Sequence, residues 1–211
     1  MIAIAFSFAV PALLFAAAAL RATARAGRPV RAAAAAGAAA LAAVPVGGLP
    51  LARWCAVVTG STSVTLAALL TVHVWRSLFG SDLLGDAGRR VALRFAAVAG
   101  VALYPMALGL GSADPYALGW RLSPLTLALA ALSLALVARG NRFGLVLALA
   151  ALGHALGVLE SPNLWDYVVD PALAVVSLVA VGRELAARVR RPAEGLIAWR
   201  GAAARPASRT S

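Results

Sequence analysis

Along the chain, apolar residues come in long runs without charge, broken by short stretches of arginine, glycine and proline. Each run approaches the roughly 20 residues that a helix needs to cross a hydrocarbon core. The pattern predicts an all-α fold, a polytopic transmembrane helix bundle of about seven spans, at 2–20, 32–51, 54–75, 92–112, 122–138, 143–159 and 162–183. The stretch 32–75 is too long for one crossing, and Gly47, Gly48 and Pro50 beside Arg53 predict a turn that divides it. If the 32–51 run only re-enters, the count falls by one and one end changes side. Residues 1–191 then form the membrane domain. Residues 192–211 form a cytoplasmic tail rich in arginine, proline and alanine, solvated or laid against anionic headgroups.

Composition strengthens the membrane reading. Apolar residues make up 62% of the 211, charged residues 13%, and the mean hydropathy is +0.87. Ordinary soluble domains carry about 25% charged residues. The formal charge of +11 comes from nineteen basic residues, all arginine. In a soluble chain that charge would suggest nucleic acid. Here the arginines sit at the ends of apolar runs, where they set orientation, so no nucleic-acid partner is expected. Arginine without lysine, among so much alanine, glycine, valine and leucine, is the signature of a GC-rich bacterial genome.

Orientation follows from the side on which the arginines fall. Seventeen of the nineteen lie in the segments that alternate to one side, and only Arg53 and Arg121 lie on the other. By the positive-inside rule the N-terminus is outside and the C-terminus cytoplasmic, in a bacterial inner membrane. No basic residue precedes the first run, while Arg21, Arg25, Arg28 and Arg31 follow it, the reverse of a secretory signal. The first run is therefore read as a retained span, although its alanine-rich end leaves a cleavage site open. Arg94 is expected to snorkel to the cytoplasmic interface.

Polar chemistry gathers on the outer side. In ESPNLWDYVVDP, from Glu160 to Pro171, Ser161 and Pro162 suit the cap and first position of a helix. Counted from there, Asn163, Asp166 and Asp170 share one face, with Tyr167 beside them, and Asp170 would lie ~12 Å inside the helix. An ionisable residue at such depth marks a functional site by default. Pro171 inside that helix would free the Tyr167 carbonyl, and a free carbonyl beside two carboxylates suits a cation or a polar headgroup. The structural alternative pairs Asp170 with Arg53, with Arg121 or with a hydroxyl of the third span. A third alternative starts the helix later and leaves Asp166 at the interface.

Ser61 and Ser63 lie in TGSTSVT, where small and hydroxylated residues serve helix packing or line the same cavity. Asp114, in the loop GLGSADPYALGW, faces that cluster on the same side. His154 lies near the outer end of its span and offers a base beside Glu160 or Asp166. His73 lies near the inner end, so the two histidines cannot hold one haem between them. The absence of lysine excludes a Schiff-base chromophore. The single cysteine, Cys55, excludes an intrachain disulfide, and no phosphate-binding loop, HExxH or CxxC occurs. No cofactor and no metal site is expected.

Three functions remain open. The first is a non-enzymatic accessory or scaffold subunit, whose partners are membrane lipids and another inner-membrane protein. The second is an intramembrane enzyme acting on a lipid or lipid-linked substrate at the outer leaflet, with His154, Asp166 and Asp170 as its catalytic groups. The third is a small transporter, for which polar residues should continue through the cytoplasmic half, and they do not.

Overall fold

The computed structural model describes the backbone of residues 2–59, 62–120 and 123–203 and the side chains of 4–57, 62–120 and 123–189. The described structure is mostly helical, at 77%. Its helices are α1 (Ile2–Ala22), α2 (Arg28–Ala40), α3 (Leu51–Thr59), α4 (Val64–Phe79), α5 (Gly85–Ala107), α6 (Pro124–Ala138), α7 (Phe143–Ala155), α8 (Leu164–Val168) and α9 (Pro171–Ala203). Among the described residues two helices are long and apolar enough to cross a membrane, Ile4–Ala22 within α1 and the whole of α5. The apolar helices α4, α6 and α7 have 16, 15 and 13 residues. At 1.5 Å per residue they reach only about 20–24 Å, short of a ~30 Å hydrocarbon core.

Among the described residues two of the seven expected spans thus form helices long and apolar enough to cross, and local chemistry explains the breaks in three of the others. The expected 32–51 span ends as helix at Ala40, tightens into one 3-10 turn at Leu41–Ala43, and gives way to a hairpin of β1 (Pro45–Val46) and β2 (Leu49–Pro50). Gly47 and Gly48 both have positive φ, the backbone that a two-residue hairpin demands. Trp54 donates its indole N–H to the Val46 carbonyl at 2.8 Å and ties the hairpin to α3. The turn thus falls where the glycines predicted it. The expected 54–75 span is cut, because Ser63 caps a new helix by accepting the Leu66 N–H at 3.0 Å. The expected 162–183 span is cut by extended backbone at Val169. Beyond that break α9 continues to Ala203, past the expected boundary at 191.

The helices pair antiparallel through small residues. A Cβ on Gly100 of α5 would stand 2.6 Å from the Ala174 Cβ of α9, so only glycine permits that approach. A Cβ on Gly144 would stand 2.5 Å from the Ser133 carbonyl, and Ser133 Oγ donates to the Gly144 carbonyl at 2.7 Å, locking α6 to α7. The central core joins Phe143, Leu147 and Ala150 of α7 to Ala92 of α5 and to Leu164, Tyr167 and Val168 of α8. Beside it, Ala96, Ala99 and Leu103 of α5 pack on Val169, Leu173 and Ala174. A separate, smaller cluster of Ala16, Leu20 and Ala35 holds α1 against α2.

Two polar ends result. At one, Arg142 Nη1 donates to the Leu83 carbonyl at 3.0 Å and the Arg28 guanidinium lies 5.1 Å above the Phe79 ring. There Arg94 pairs with Glu184 at 2.8 Å, linking α5 to α9. The guanidinium of Arg94, expected to snorkel to an interface, thus has a carboxylate partner there. At the other end the loops before α4, α6 and α8 converge.

Candidate functional site

Asp170 is the residue around which this second end is organised. It is 2% exposed and stands at the N-terminus of α9, where its Oδ1 accepts the Leu173 N–H at 2.8 Å. Its Oδ2 accepts from both the Ser63 N–H at 3.0 Å and the Ser63 hydroxyl at 2.6 Å. Ser63 itself caps α4. Two helix caps are thus bonded to each other, and one carboxylate faces the positive ends of two helix dipoles. A buried carboxylate with this set of donors needs no guanidinium partner. Of the structural alternatives weighed from sequence, the hydroxyl of the third span, that of Ser63, is the one that forms among the described residues.

Pro171 begins α9 rather than interrupting a helix, so its missing N–H lies where no helix bond is required. The Tyr167 carbonyl is not freed in the expected way, since Thr65 Oγ1 donates to it at 3.4 Å. The cation site built on a kinked helix is therefore withdrawn. Asn163, Asp166 and Asp170 do not share one continuous helix face, because the break at Val169 separates Asp170 from α8.

Asp166 belongs to a different group. Its Oδ2 accepts from the Tyr116 hydroxyl at 2.9 Å and closely from the Ser161 hydroxyl. Asn163 caps α8 by accepting the Trp165 N–H at 3.0 Å, and its amide donates to the Tyr116 carbonyl at 3.0 Å. Trp165 Nε1 donates to the Pro115 carbonyl at 2.9 Å. These bonds staple the 3-10 turn Pro115–Gly119 onto α8. The fit is close enough that a Cβ on Gly119 would stand 1.8 Å from Asn163 Oδ1. Burial, then the hydrogen bond and charge of Asp166, push the Tyr116 phenol up to about 12.

Tyr167 is 1% exposed and closes the loop before α8. Its hydroxyl accepts the Leu159 N–H at 3.1 Å and donates toward the carbonyls of Ser161 and Leu159 at 3.1 and 3.2 Å. His154 stacks edge-on against the Tyr167 ring at 5.2 Å, with its Nε2 3.0 Å from the Pro162 carbonyl. Glu160 is exposed. Asp114 is exposed as well and caps its own 3-10 turn through the Ala117 N–H at 3.2 Å. Ser61 and Arg121 lie outside the described residues.

The structure therefore brings Asn163, Asp166 and Tyr167 into one stapled loop and Asp170 with Ser63 into a double cap. His154, Asp166 and Asp170 each bond to different partners and not to one another. Tyr116, Ser161 and Gly119 were missed as members of the group. Sequence carried a signal for Ser161, as a helix-start residue, but none for Tyr116, which arrives from a loop about 50 residues earlier. Among the described residues no group of three or more histidine, cysteine, aspartate or glutamate side chains is placed to hold a metal ion. Compared with known proteins, the chain matches no family model, no curated protein and no solved structure.

Proposed function

We propose that the chain is a multi-pass protein of a bacterial inner membrane, with its N-terminus outside and its C-terminus in the cytoplasm, serving as a non-enzymatic accessory or scaffold subunit. Seven segments cross in this reading: α1, α2, α4, α5, α6, α7 and α9, with the β1–β2 hairpin and α3 between α2 and α4. The short helices are accommodated by local thinning of the bilayer and by the capped loops. Support comes from the gathering of arginine-bearing helix ends on one side and from the outward apolar faces. Val98 on α5 is 70% exposed and Leu134 on α6 is 70% exposed, and such faces call for lipid or a partner helix.

The observation that carries the accessory role is the employment of the three candidate catalytic groups as caps and staples. A catalytic acid and base act within hydrogen-bond reach of one reacting atom. Asp170 is sealed from such an atom by Ser63 and Leu173. Affinity purification from native membranes in mild detergent tests the role. A partner should accompany the chain in fixed ratio through size exclusion. Recovery of the chain alone, together with turnover of a lipid-linked substrate that Asp166→Asn abolishes, would reject it.

That outcome would favour the second reading, an enzyme acting on a lipid or lipid-linked substrate at the outer leaflet. One observation keeps it in view: Asp166 is only partly buried and shares its oxygen with a phenol and a serine hydroxyl.

A further inference from the structure

At the arginine-rich end, α2 starts without a side-chain cap at Gly27 and without an acidic residue in its first turn. In that turn Pro29 has no N–H and Arg31 donates its own to the Gly27 carbonyl at 3.1 Å, which leaves the Arg28 and Val30 N–H groups without a helical partner. Beside it opens a cavity of about 530 Å³ lined by Arg28, Arg31, His73, Arg76, Ser77 and Phe79. Arg31 Nε is shut off from solvent and has no hydrogen-bond partner among the described residues. That atom faces away from the opening, while the half-buried Arg31 and exposed Arg28 side chains line it, and guanidinium groups lining an open cavity favour an oxyanion. Asp82 at the rim, 3.5 Å from Arg76, is engaged more closely by Arg89 at 2.8 Å. Arg28 and Arg31 form no ion pair among the described residues, so the cavity keeps an excess of positive charge.

A second cavity of about 490 Å³ adjoins it between α1, α2 and α4, and its lining is apolar: Ala12, Ala16, Ala35, Ala36, Val74 and Leu78. The two cavities share Leu78. The alanines keep the groove open where larger side chains would fill it. A cationic cup beside an apolar groove matches a molecule with an anionic head and an acyl chain.

We infer that this is a binding site for one anionic glycerophospholipid of the inner leaflet, its phosphate held by Arg28, Arg31 and Arg76 at the start of α2 and an acyl chain lying in the alanine groove. The site is distinct from the polar cluster at the other end and rests on the membrane reading given above. Helix N-termini and arginines both favour a phosphate. The lipid in turn joins the peripheral α1–α2 pair to α4, across a seam whose own apolar core is small.

The full chain, delipidated in detergent and returned to nanodiscs of equal phosphatidylglycerol and phosphatidylcholine, is released for native mass spectrometry. Phosphatidylglycerol should be retained about tenfold over phosphatidylcholine, with each arginine contributing up to about fivefold. Arg31→Gln should lower that preference, and Arg28→Gln, at an exposed position, should lower it as well without burdening the fold. Arg139→Gln, exposed at the same end but outside the cavity, should leave it unchanged. Ala36→Trp, also exposed, should displace the lipid while leaving inorganic phosphate binding intact. Equal retention of the two lipids, or an Arg139→Gln effect as large as that of Arg31→Gln, would overturn the site. So would phosphate binding as tight as lipid with no effect of Ala36→Trp, which would mark a free-anion cup. Carbonate-washed membranes separate the two failures: a chain released by the wash removes the membrane reading, whereas a retained chain without lipid preference removes only this site.

Discussion

At the end where α8 meets the starts of α4 and α9, Asp166 and Asp170 are held by hydroxyl and backbone donors, whereas at the opposite end Asp82 and Glu184 lie among guanidinium groups. Asp170 is buried at 2% exposure, so its bonds are made out of water and each lost donor leaves its partner stranded. The side chain of Asp82 is 20% exposed and that of Glu184 33%, where water and salt replace much of what an ion pair supplies. The first end fixes geometry through hydrogen bonds from uncharged donors to carboxylates. The second carries charge, and its arginines outnumber its acids. That difference places structural polarity at one end and ligand-facing polarity at the other.

The sharpest way to break the comparison is at Asp170. Asp170→Leu strands the Ser63 N–H, the Ser63 hydroxyl and the Leu173 N–H, and loses a cap of α9, so a loss of about 3 kcal/mol is expected. Asp170→Asn keeps the carbonyl acceptor and should fall between wild type and Asp170→Leu. Thermal melts followed by size exclusion in detergent measure both, and an unchanged melting point for Asp170→Leu would remove the double cap from the account.

Next in size is Gly100→Val, which must push α5 away from Ala174. A loss of about 2 kcal/mol follows from overpacking a tight helix contact. Gly119→Ala at the stapled loop should act in the same direction by displacing Asn163, and the two together show whether loop and helix pair melt as one unit. Equal melts for both variants and wild type would mean that neither contact is tight.

Tyr116→Phe removes one hydrogen bond to Asp166 and should cost about 1 kcal/mol. The phenol also gives a pH signature. Its folded pKa, about 12, lies above the ordinary value of 10, so its contribution is complete below about pH 10 and is lost as the pH rises toward 12. Absorbance titration at 295 nm of wild type against Tyr116→Phe isolates that step. Its appearance near pH 10 would sever the phenol from Asp166.

The smallest effect is expected at Asp82. The Gly85 and Leu84 N–H groups, with Arg89 and Arg76, hold its carboxyl below the ordinary 3.8 against the opposing cost of burial. Its contribution is therefore present above that value and fades as the pH falls through the lowered one. Asp82→Asn should shift the melt slightly, less in high salt, whereas the Asp170 effects should not respond to salt. A salt-sensitive Asp170→Asn would erase the contrast between the ends.

Several elements were legible in the sequence because their causes are local. Gly47 and Gly48 turn the chain through backbone that side chains disfavour, and the hairpin appears there. The start of α6 at Ser123–Pro124 and of α7 after Gly140 lie within two residues of expectation. The seventh segment was misread for an equally physical reason. A proline at position 171 fits a kink inside a helix and the first residue of a new one equally well, and only the position of Ser63, 107 residues away, selects the second.

The sequence by itself determined that this is an apolar, helical chain with its arginines at one set of helix ends, because hydropathy and charge act residue by residue. Tertiary structure alone decided how far each helix runs and what each acid does. A carboxylate takes its role from the donors that reach it, and here those donors come from loops and helix starts far away in the chain. The same is true of the arginines, which sequence marked as anchors and which folding gathers into a cup beneath an alanine groove.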